Sequence, residues 1–570
     1  MRMPLGLLFG ISVLAAGAAG TAGAAIINVP GDQPSIAAAV AAASNGDTIL
    51  IAKGRWQEAM TTTKELNFRG ESGTIWDGYF GATHNGQLNA TANNVTVQGI
   101  EFQNGSVPIA ITGDDAQVTG CSLRGSTDGV WVDGSRAQVS KNRFYGQQGS
   151  NYTIEIHGPD SVVEKNEILD NDYAGIFVDA ESAGTATVAR NVQDTSQDLL
   201  TITVYNASAP LITKNKLLHG YQTGSCIDVV NCDNAEISGN RLMNINYRVV
   251  SGISVVGNNA RIYKNVLDNL QISSGDHTAI SVTGNDADAS RNTIVSCCGG
   301  ANFDTWGILI QGSGAGVMKN KISHLGGGGG GCTGIQVSGT ACEVSKNKLD
   351  HFNDMYTDGI YIVGNNSVVN KNTLTNLLNG YSIEVLSDDF SVSNNTIKNG
   401  AYGCQAINTF GSATGPGTAL IEGNSISNLG YDAVTHFGNG VAIQHNTLRH
   451  IAGTGVYVGG NNNSLLQNEI RDTQNDCYRI DGAGNTLDRC SAKNSARDGF
   501  DITFGAGNTL NQCEAKGCVA EGLDNGGTAT VATNCVLKGS RIDYAGAGNM
   551  ANDAGTTYKT GGPGTNAEID

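Results

Sequence analysis

The residues of this chain best suited to chemistry are Asp133, Glu155, His157 and Asp179, with Trp131, Phe177, Tyr205 and Asp228 interleaved and following. Paired carboxylates cleave glycosidic bonds, one as general acid and the other as base or nucleophile. A neighbouring imidazole can orient a carboxylate or shuttle a proton near neutral pH. Flat aromatic faces suit sugar rings. These residues recur at intervals of about 20–25 residues, so they form a site only if the backbone returns to one place with that period. A second group, Arg479, Asp481, Asp501 and Asp524, lies near the C-terminal end with Tyr457 as its aromatic neighbour. A third, Asp276-His277 with Asp304 and Trp306, falls in longer repeats where protruding loops are expected. The plainer role for any of these acids is to keep outward strand positions solvated.

A period of that length is present. The pattern aliphatic-x-x-Asn-x-aliphatic occurs at Val139-Asn142-Phe144, Val163-Asn166-Ile168, Ile212-Asn215-Leu217, Ile237-Asn240-Leu242 and Ile262-Asn265-Leu267. It runs on through Asn292, Asn320, Asn347, Asn372, Asn395, Asn424, Asn446 and Asn468; Cys490 and Cys513 then take the slot, and Asn534 is expected to close it. Ile100 and Cys121 occupy it ahead of the series. Asn suits a tight bend because it tolerates left-handed backbone, and its amide can bond the amide one repeat away.

In phase with the Asn comes Gly-aliphatic-x-aliphatic, as in Gly129-Val130-Trp131-Val132, Gly175-Ile176-Phe177-Val178 and Gly359-Ile360-Tyr361-Ile362. Each reads as a short strand with two inward aliphatics and an outward x. The x column reads Trp131, Glu155, Phe177, Thr203, Asp228, Ser254, Ser281, Leu309, Gln336, Tyr361, Glu384, Asn408, Thr435, Tyr457, Arg479, Asp501, Asp524. Two residues later stand Asp133, His157, Asp179, Tyr205 and Val230. Asp133 and Asp179 would then lie two coils apart, roughly 9.6 Å from the strand spacing. Inverting glycosidases hold their carboxyls about 6.5–9.5 Å apart. With Glu155 between them, like-charge crowding favours keeping one proton on the cluster, as a general acid requires.

Short strands at this spacing bury their apolar faces only by stacking coil on coil. The predicted fold is all-β, a right-handed single-stranded parallel β-helix of about 19 coils. The repeat, and the opening run Asn28-Val29-Pro30, Pro34 to Val40, Gly46-Asp47-Thr48-Ile49 and Lys53-Gly54-Arg55-Trp56, resemble the parallel β-helix proteins of the pectin-lyase-like superfamily. The expected organisation is a signal peptide over residues 1–25, an N-terminal strand and capping helix over 26–60, the β-helix over 61–540 and a poorly ordered Gly-rich tail over 541–570. The helix is predicted over Ser35 to Ser44, ended by Asn45-Gly46. Arg2, the apolar stretch from Leu5 to Ala19 and Ala22-Gly23-Ala24 are the features of an export signal.

Of the 570 residues, 78 are Gly and only 15% are charged, without a collagen period, which excludes coiled coils and collagens. A net charge of −18 argues against nucleic acid as a partner. No later window is apolar enough to span a membrane. The expected protein is a secreted or periplasmic monomer acting on a polysaccharide or cell-surface glycan, by hydrolysis or elimination. The alternative is a non-catalytic rod that binds glycans or other cells. The x column is nearly devoid of Lys and Arg, so a neutral glycan fits it better than a polyuronate. No cofactor or resident metal is called for, although the acids could recruit Ca²⁺. Gly326 to Gly331 lacks the Lys-Ser/Thr ending of a phosphate-binding loop, which discounts nucleotide binding.

Overall fold

A computed structural model describes residues 23–558, except for 81–82, 85, 150–151, 182–183, 196–198, 223, 248–249, 272–274, 298–302, 327–328, 355, 540–541, 546–549 and 553–556. Residues 1–22 of the expected signal peptide and 559–570 of the expected tail lie outside them. Three parallel sheets wind into one right-handed β-solenoid of about 20 turns.

One coil shows how the sequence sets the geometry. Gln138–Ser140 contributes to the first sheet, Arg143–Tyr145 to the second and Ile154–His157 to the third. Each pairs in parallel with the strand one coil later: Val139 with Val163, Phe144 with Ile168, Ile154 with Ile176. Inward aliphatics such as Val139, Ile154, Ile156, Ile176 and Val178 are fully buried. Larger rings fill both ends: Trp76 stacks on Phe102 at 5.6 Å, and Tyr478 on Phe500 at 4.9 Å.

The Asn file occupies the bend from first to second sheet, and Asn191 belongs to it. Asn265 represents the rest. Its Nδ2 donates to Ile237 O at 2.8 Å and to Asn292 Oδ1 at 3.1 Å, while its own Oδ1 accepts the N–H and the Nδ2 of Asn240. Both polar atoms of the Asn265 amide are thereby satisfied, as burial demands.

Two expectations about this bend need correction. The left-handed residue is the one before each Asn: Lys141, Lys165, Lys214, Lys264 and Lys319 have φ of 57–59°. The Asn is kept for its amide and not for its backbone freedom. In the last coil Cys535 fills the slot, because Val536 begins the strand paired with Glu514; Asn534, at φ 53°, is the left-handed residue ahead of it. Cys121, Cys490, Cys513 and Cys535 send Sγ to the carbonyls of Val97, Leu465, Leu487 and Leu510, the bond that Nδ2 makes elsewhere in the file.

The capping helix runs only from Ile36 to Ala42. Ser35 is its N-cap, accepting from Ala38 N at 3.1 Å, and the Glu58 carboxylate accepts from Ile36 N and Ala37 N. Lys64 Nζ gathers the carbonyls of Val40, Ala41 and Ala43, which ends the helix before Ser44 and complements its dipole. At the far end, strands Ile542–Ala545, Met550–Asn552 and Thr557–Tyr558 continue the parallel pairing past the last Cys slot.

Candidate functional site

The outward face of the third sheet carries the candidate residues, and its register turns the x column into a physical file. Trp131 pairs with Glu155, Glu155 with Phe177, Phe177 with Thr203 and Thr203 with Asp228. The neighbouring file runs Asp133, His157, Asp179, Tyr205, Val230. All eight residues singled out in the sequence therefore stand on adjacent or near-adjacent coils.

Within this cluster His157 Nε2 lies 2.8 Å from Glu155 Oε1, and both side chains are about one-third exposed or less. The imidazole is flanked by Trp131 at 6.4 Å and Phe177 at 5.4 Å. Phe177 in turn meets Tyr152 at 4.9 Å and Tyr205 at 5.5 Å. Asp179 Oδ1 accepts from Glu181 N and Asn206 Nδ2, each at 3.0 Å, so its orientation is fixed. Asp133 is exposed. Burial raises the Asp228 carboxyl above its ordinary range against the opposing pull of Ser254. Burial, then the nearby Asp228 carboxylate, raises the Tyr205 phenol. A groove of about 420 Å³, bordered by Val107, Ala110, Asp128, Trp131, Tyr152 and Glu155, opens on this end of the file.

The C-terminal group also assembles. Tyr457 OH donates to Asp481 Oδ2 at 2.9 Å, Arg479 Nε lies 3.4 Å from Asp481 Oδ1, and the guanidinium sits 5.8 Å from the Tyr457 ring. Burial, then the adjacent Asp476, pushes Asp501 up to about 6, with Arg479 opposing. This group has more aromatic company than Tyr457 alone: Phe437 lies 5.4 Å from it and stacks on Phe410 at 5.2 Å, and Phe504 is over half exposed.

The third group does not form a loop site. His277 starts the strand His277–Thr283 and is fully buried, and Trp306 lies within Thr305–Gln311 with its indole donating to Gln336 Oε1 at 2.8 Å. Asp276 and Asp304 serve the backbone, accepting from Asp304 N and Gly331 N. Of these four only His277 is taken into the core; Asp276 and Asp304 stay exposed outside the strands, and Trp306 is half-buried. Of the Gly326–Gly331 run, 327–328 lie outside the described residues, and Gly329 N donates to Asp354 Oδ1.

The x column holds Glu384 but does not mark its pairing with Asp358. Burial, then the neighbouring Asp358, raises Glu384 to about 7, while Asn408 Nδ2 donates to its Oε1 at 3.1 Å. Burial also raises Asp358, which accepts from Tyr381 N at 3.3 Å. The signal was an Asp immediately before the strand's Gly or its equivalent, as in Asp358-Gly359, Asp432-Ala433, Asp476-Cys477 and Asp498-Gly499. In the structure these carboxylates accept backbone N–H groups of the following coil: Thr454 N for Asp432, Asp498 N for Asp476, Glu521 N for Asp498.

Comparison with known proteins follows the same lines. The family described as "Right handed beta helix region" matches residues 74–196 and 412–542, and that described as "Periplasmic copper-binding protein (NosD)" matches 157–296. No curated protein matches the chain. Among solved structures, the PL6-family alginate lyase AlyGC is 10% identical, with 94% of this chain and 98% of that chain covered and a TM-score of 0.29. A PL6 alginate lyase in complex with a trisaccharide is 11% identical, with 68% and 85% covered and a TM-score of 0.30.

Among the described residues of 157–296, the side chains that could take the second family's copper do not converge. Within 157–296, His157 is engaged by Glu155, His219 by Asp194, and the Met243 sulfur by Arg241, while Cys226 and Cys232 are buried in the core. Among the described residues no three His, Cys, Asp or Glu converge as metal ligands. The parallel register and the Asn file show a right-handed parallel β-helix fold, and the family model for such a region matches two stretches of the chain.

Proposed function

We propose that this protein is an extracytoplasmic polysaccharide-active β-helix that holds a glycan along the outer face of the third sheet and cleaves it near Glu155. The observation that carries the reading is the Glu155–His157 hydrogen bond set among Trp131, Phe177, Tyr152 and Tyr205 beside an open groove. Hydrolysis needs a proton for the leaving oxygen and a base for water. The Glu155–His157 pair supplies the first, its imidazole relaying a proton to the glycosidic oxygen. Asp179, oriented by Asn206, accepts the proton of the attacking water, and Asp133 and Asp228 extend the acidic floor. Trp131, Phe177 and Tyr205 stack on sugar rings to either side. Ca²⁺ is an optional partner of the exposed acids.

A second cleavage centre is favoured by one specific observation: Asp501, at about 6, stands beside Arg479 and Tyr457. An arginine there would neutralise a substrate carboxylate, as elimination requires. A panel of neutral and acidic glycans, assayed for released product with and without EDTA, tests both readings. Product from a neutral glycan, abolished in Asp179→Asn and reduced in Asp133→Asn, supports the first. Product only from acidic glycans, lost in Arg479→Met, supports the second. Retention of glycan with no product from any member makes the protein a binding rod.

A further inference from the structure

Glu384 and Asp358 stand on the outer face of the third sheet, roughly 43 Å along the file from Glu155 at about 4.8 Å per coil. Register places Tyr361 ahead of Glu384, with Asn408 and then Thr435 after it. Asp358 and Tyr361 belong to the strand Tyr356–Val363, and Tyr381 and Glu384 to Gly380–Leu386 one coil on. All four side chains are half-buried. Burial, then the Glu384 and Asp358 carboxylates, raises both the Tyr361 and the Tyr381 phenol, so the four groups lie in one another's field.

The fold leaves this cluster short of positive charge and of hydrogen-bond donors. Among the described residues no Lys, Arg or His offsets the charge of either carboxylate. Glu384 bonds no backbone group there; its one hydrogen bond comes from Asn408 Nδ2. Asn408 is 2% exposed and Thr435 6%, yet Asn408 Oδ1 and Thr435 Oγ1 have no partner among the described residues. A buried polar atom left unpaired destabilises a fold, and two like charges brought together without a counter-ion destabilise it again. The acids of the C-terminal coils are treated differently: Asp432, Asp476 and Asp498 each accept a backbone N–H, and Arg497 lies 3.8 Å from Asp476.

We infer that Asp358, Glu384, Asn408 and Thr435 form a binding site for a primary ammonium group, with Tyr361 and Tyr381 flanking it. An ammonium carries positive charge and three donors with no acceptor, and phenol rings attract it. A quaternary ammonium has no N–H to offer Asn408 Oδ1. A neutral hydroxyl leaves the two carboxylates uncompensated. Ca²⁺ takes about six to eight oxygens, and among the described residues no three His, Cys, Asp or Glu converge as metal ligands. The ammonium arrives either on an amino sugar or on an aliphatic amine. The site is separate from the groove beside Glu155 and does not depend on the chemistry proposed there.

Isothermal titration of the full-length chain with a 1,4-linked glucosamine trimer, its fully N-acetylated form, putrescine, tetramethylammonium and CaCl₂ tests the inference. Salt-sensitive, saturable binding of the free-amine trimer or of putrescine is the expected result. Tighter binding of the trimer identifies an amino sugar as the source, and tighter binding of putrescine an aliphatic amine. Affinity should fall at least about tenfold in Asp358→Asn/Glu384→Gln and about threefold in Thr435→Val. Both variants keep side-chain shape, and Thr435→Val deletes a hydroxyl the fold leaves unpaired, so neither should melt earlier than wild type at neutral pH. Glu155→Gln should bind as wild type does. Equal binding of the acetylated trimer, tighter binding of tetramethylammonium or Ca²⁺, no binding of either amine, undiminished binding in Asp358→Asn/Glu384→Gln, or loss of binding in Glu155→Gln overturns the inference.

Discussion

Glu155 and His157 stand two residues apart on one strand, so both side chains leave its outer face, and the 2.8 Å hydrogen bond between them joins two neighbouring files of the third sheet. The bond holds the imidazole between Trp131 and Phe177. An aromatic contact of this kind contributes about 1 kcal/mol beyond area burial. Trp131→Ala and Phe177→Ala should each weaken glycan binding roughly five- to tenfold. Affinity electrophoresis in glycan-containing gels reads this directly, and unchanged mobility shifts in both variants would remove the aromatic platform.

Glu384 and Asp358 make stability depend on pH. The Glu384 carboxyl is raised from 4.5 to about 7, so the folded protein binds more protons than the unfolded chain between those values. Its stabilising contribution is complete below about 4.5 and is lost as pH rises through about 7. Wild type should therefore lose thermal stability relative to Glu384→Gln across this window. Parallel melting profiles for the two proteins from pH 4.5 to 7.5 would contradict the assignment.

Arg479 opposes the rise of Asp501. Replacing it by Met removes the cation and leaves burial, Asp476 and Asp524 in place. The Asp501 titration should move upward from about 6, followed by carboxyl ¹³C resonances. A downward or null shift would mean that the guanidinium does not act on this carboxylate.

Asn265→Ala removes both Nδ2 bonds and strands the N–H and one Nδ2 hydrogen of Asn240, whose other Nδ2 hydrogen keeps its bond to Ile212 O. Leaving buried donors unsatisfied costs about 1–3 kcal/mol each, so protection in the flanking coils should fall by about 3 kcal/mol or more in amide exchange. Asn265→Cys should cost less, because Cys already makes the equivalent carbonyl bond at Cys490 and Cys513. Equal losses would show that the amide file is not what holds the bend.

Much of this arrangement could be read from the chain because strand register follows repeat phase. Once Gly-aliphatic-x-aliphatic is aligned, Trp131, Glu155 and Phe177 have no alternative but to stack, and the same rule carries the column to Asp524. What the period could not reveal was the role of a residue within its bend. Asn and Lys-Asn look alike as turn signals, yet one supplies the amide and the other the left-handed backbone. Nor does phase say which outward acid is desolvated. Glu384 was visible in the column, but the burial that lifts it and its partner Asp358 depend on how neighbouring coils cover them. His277 was misread for the opposite reason: a longer repeat suggested a loop, and the core took the residue.

The central claim is that the Glu155–His157 pair acts on a glycan lying along the third sheet. Mass spectrometry of products released by wild type and by Glu155→Gln, with glycan retention measured on the same samples, tests it most directly. The account predicts retained binding with product release reduced at least about a hundredfold. Undiminished release by Glu155→Gln would contradict it.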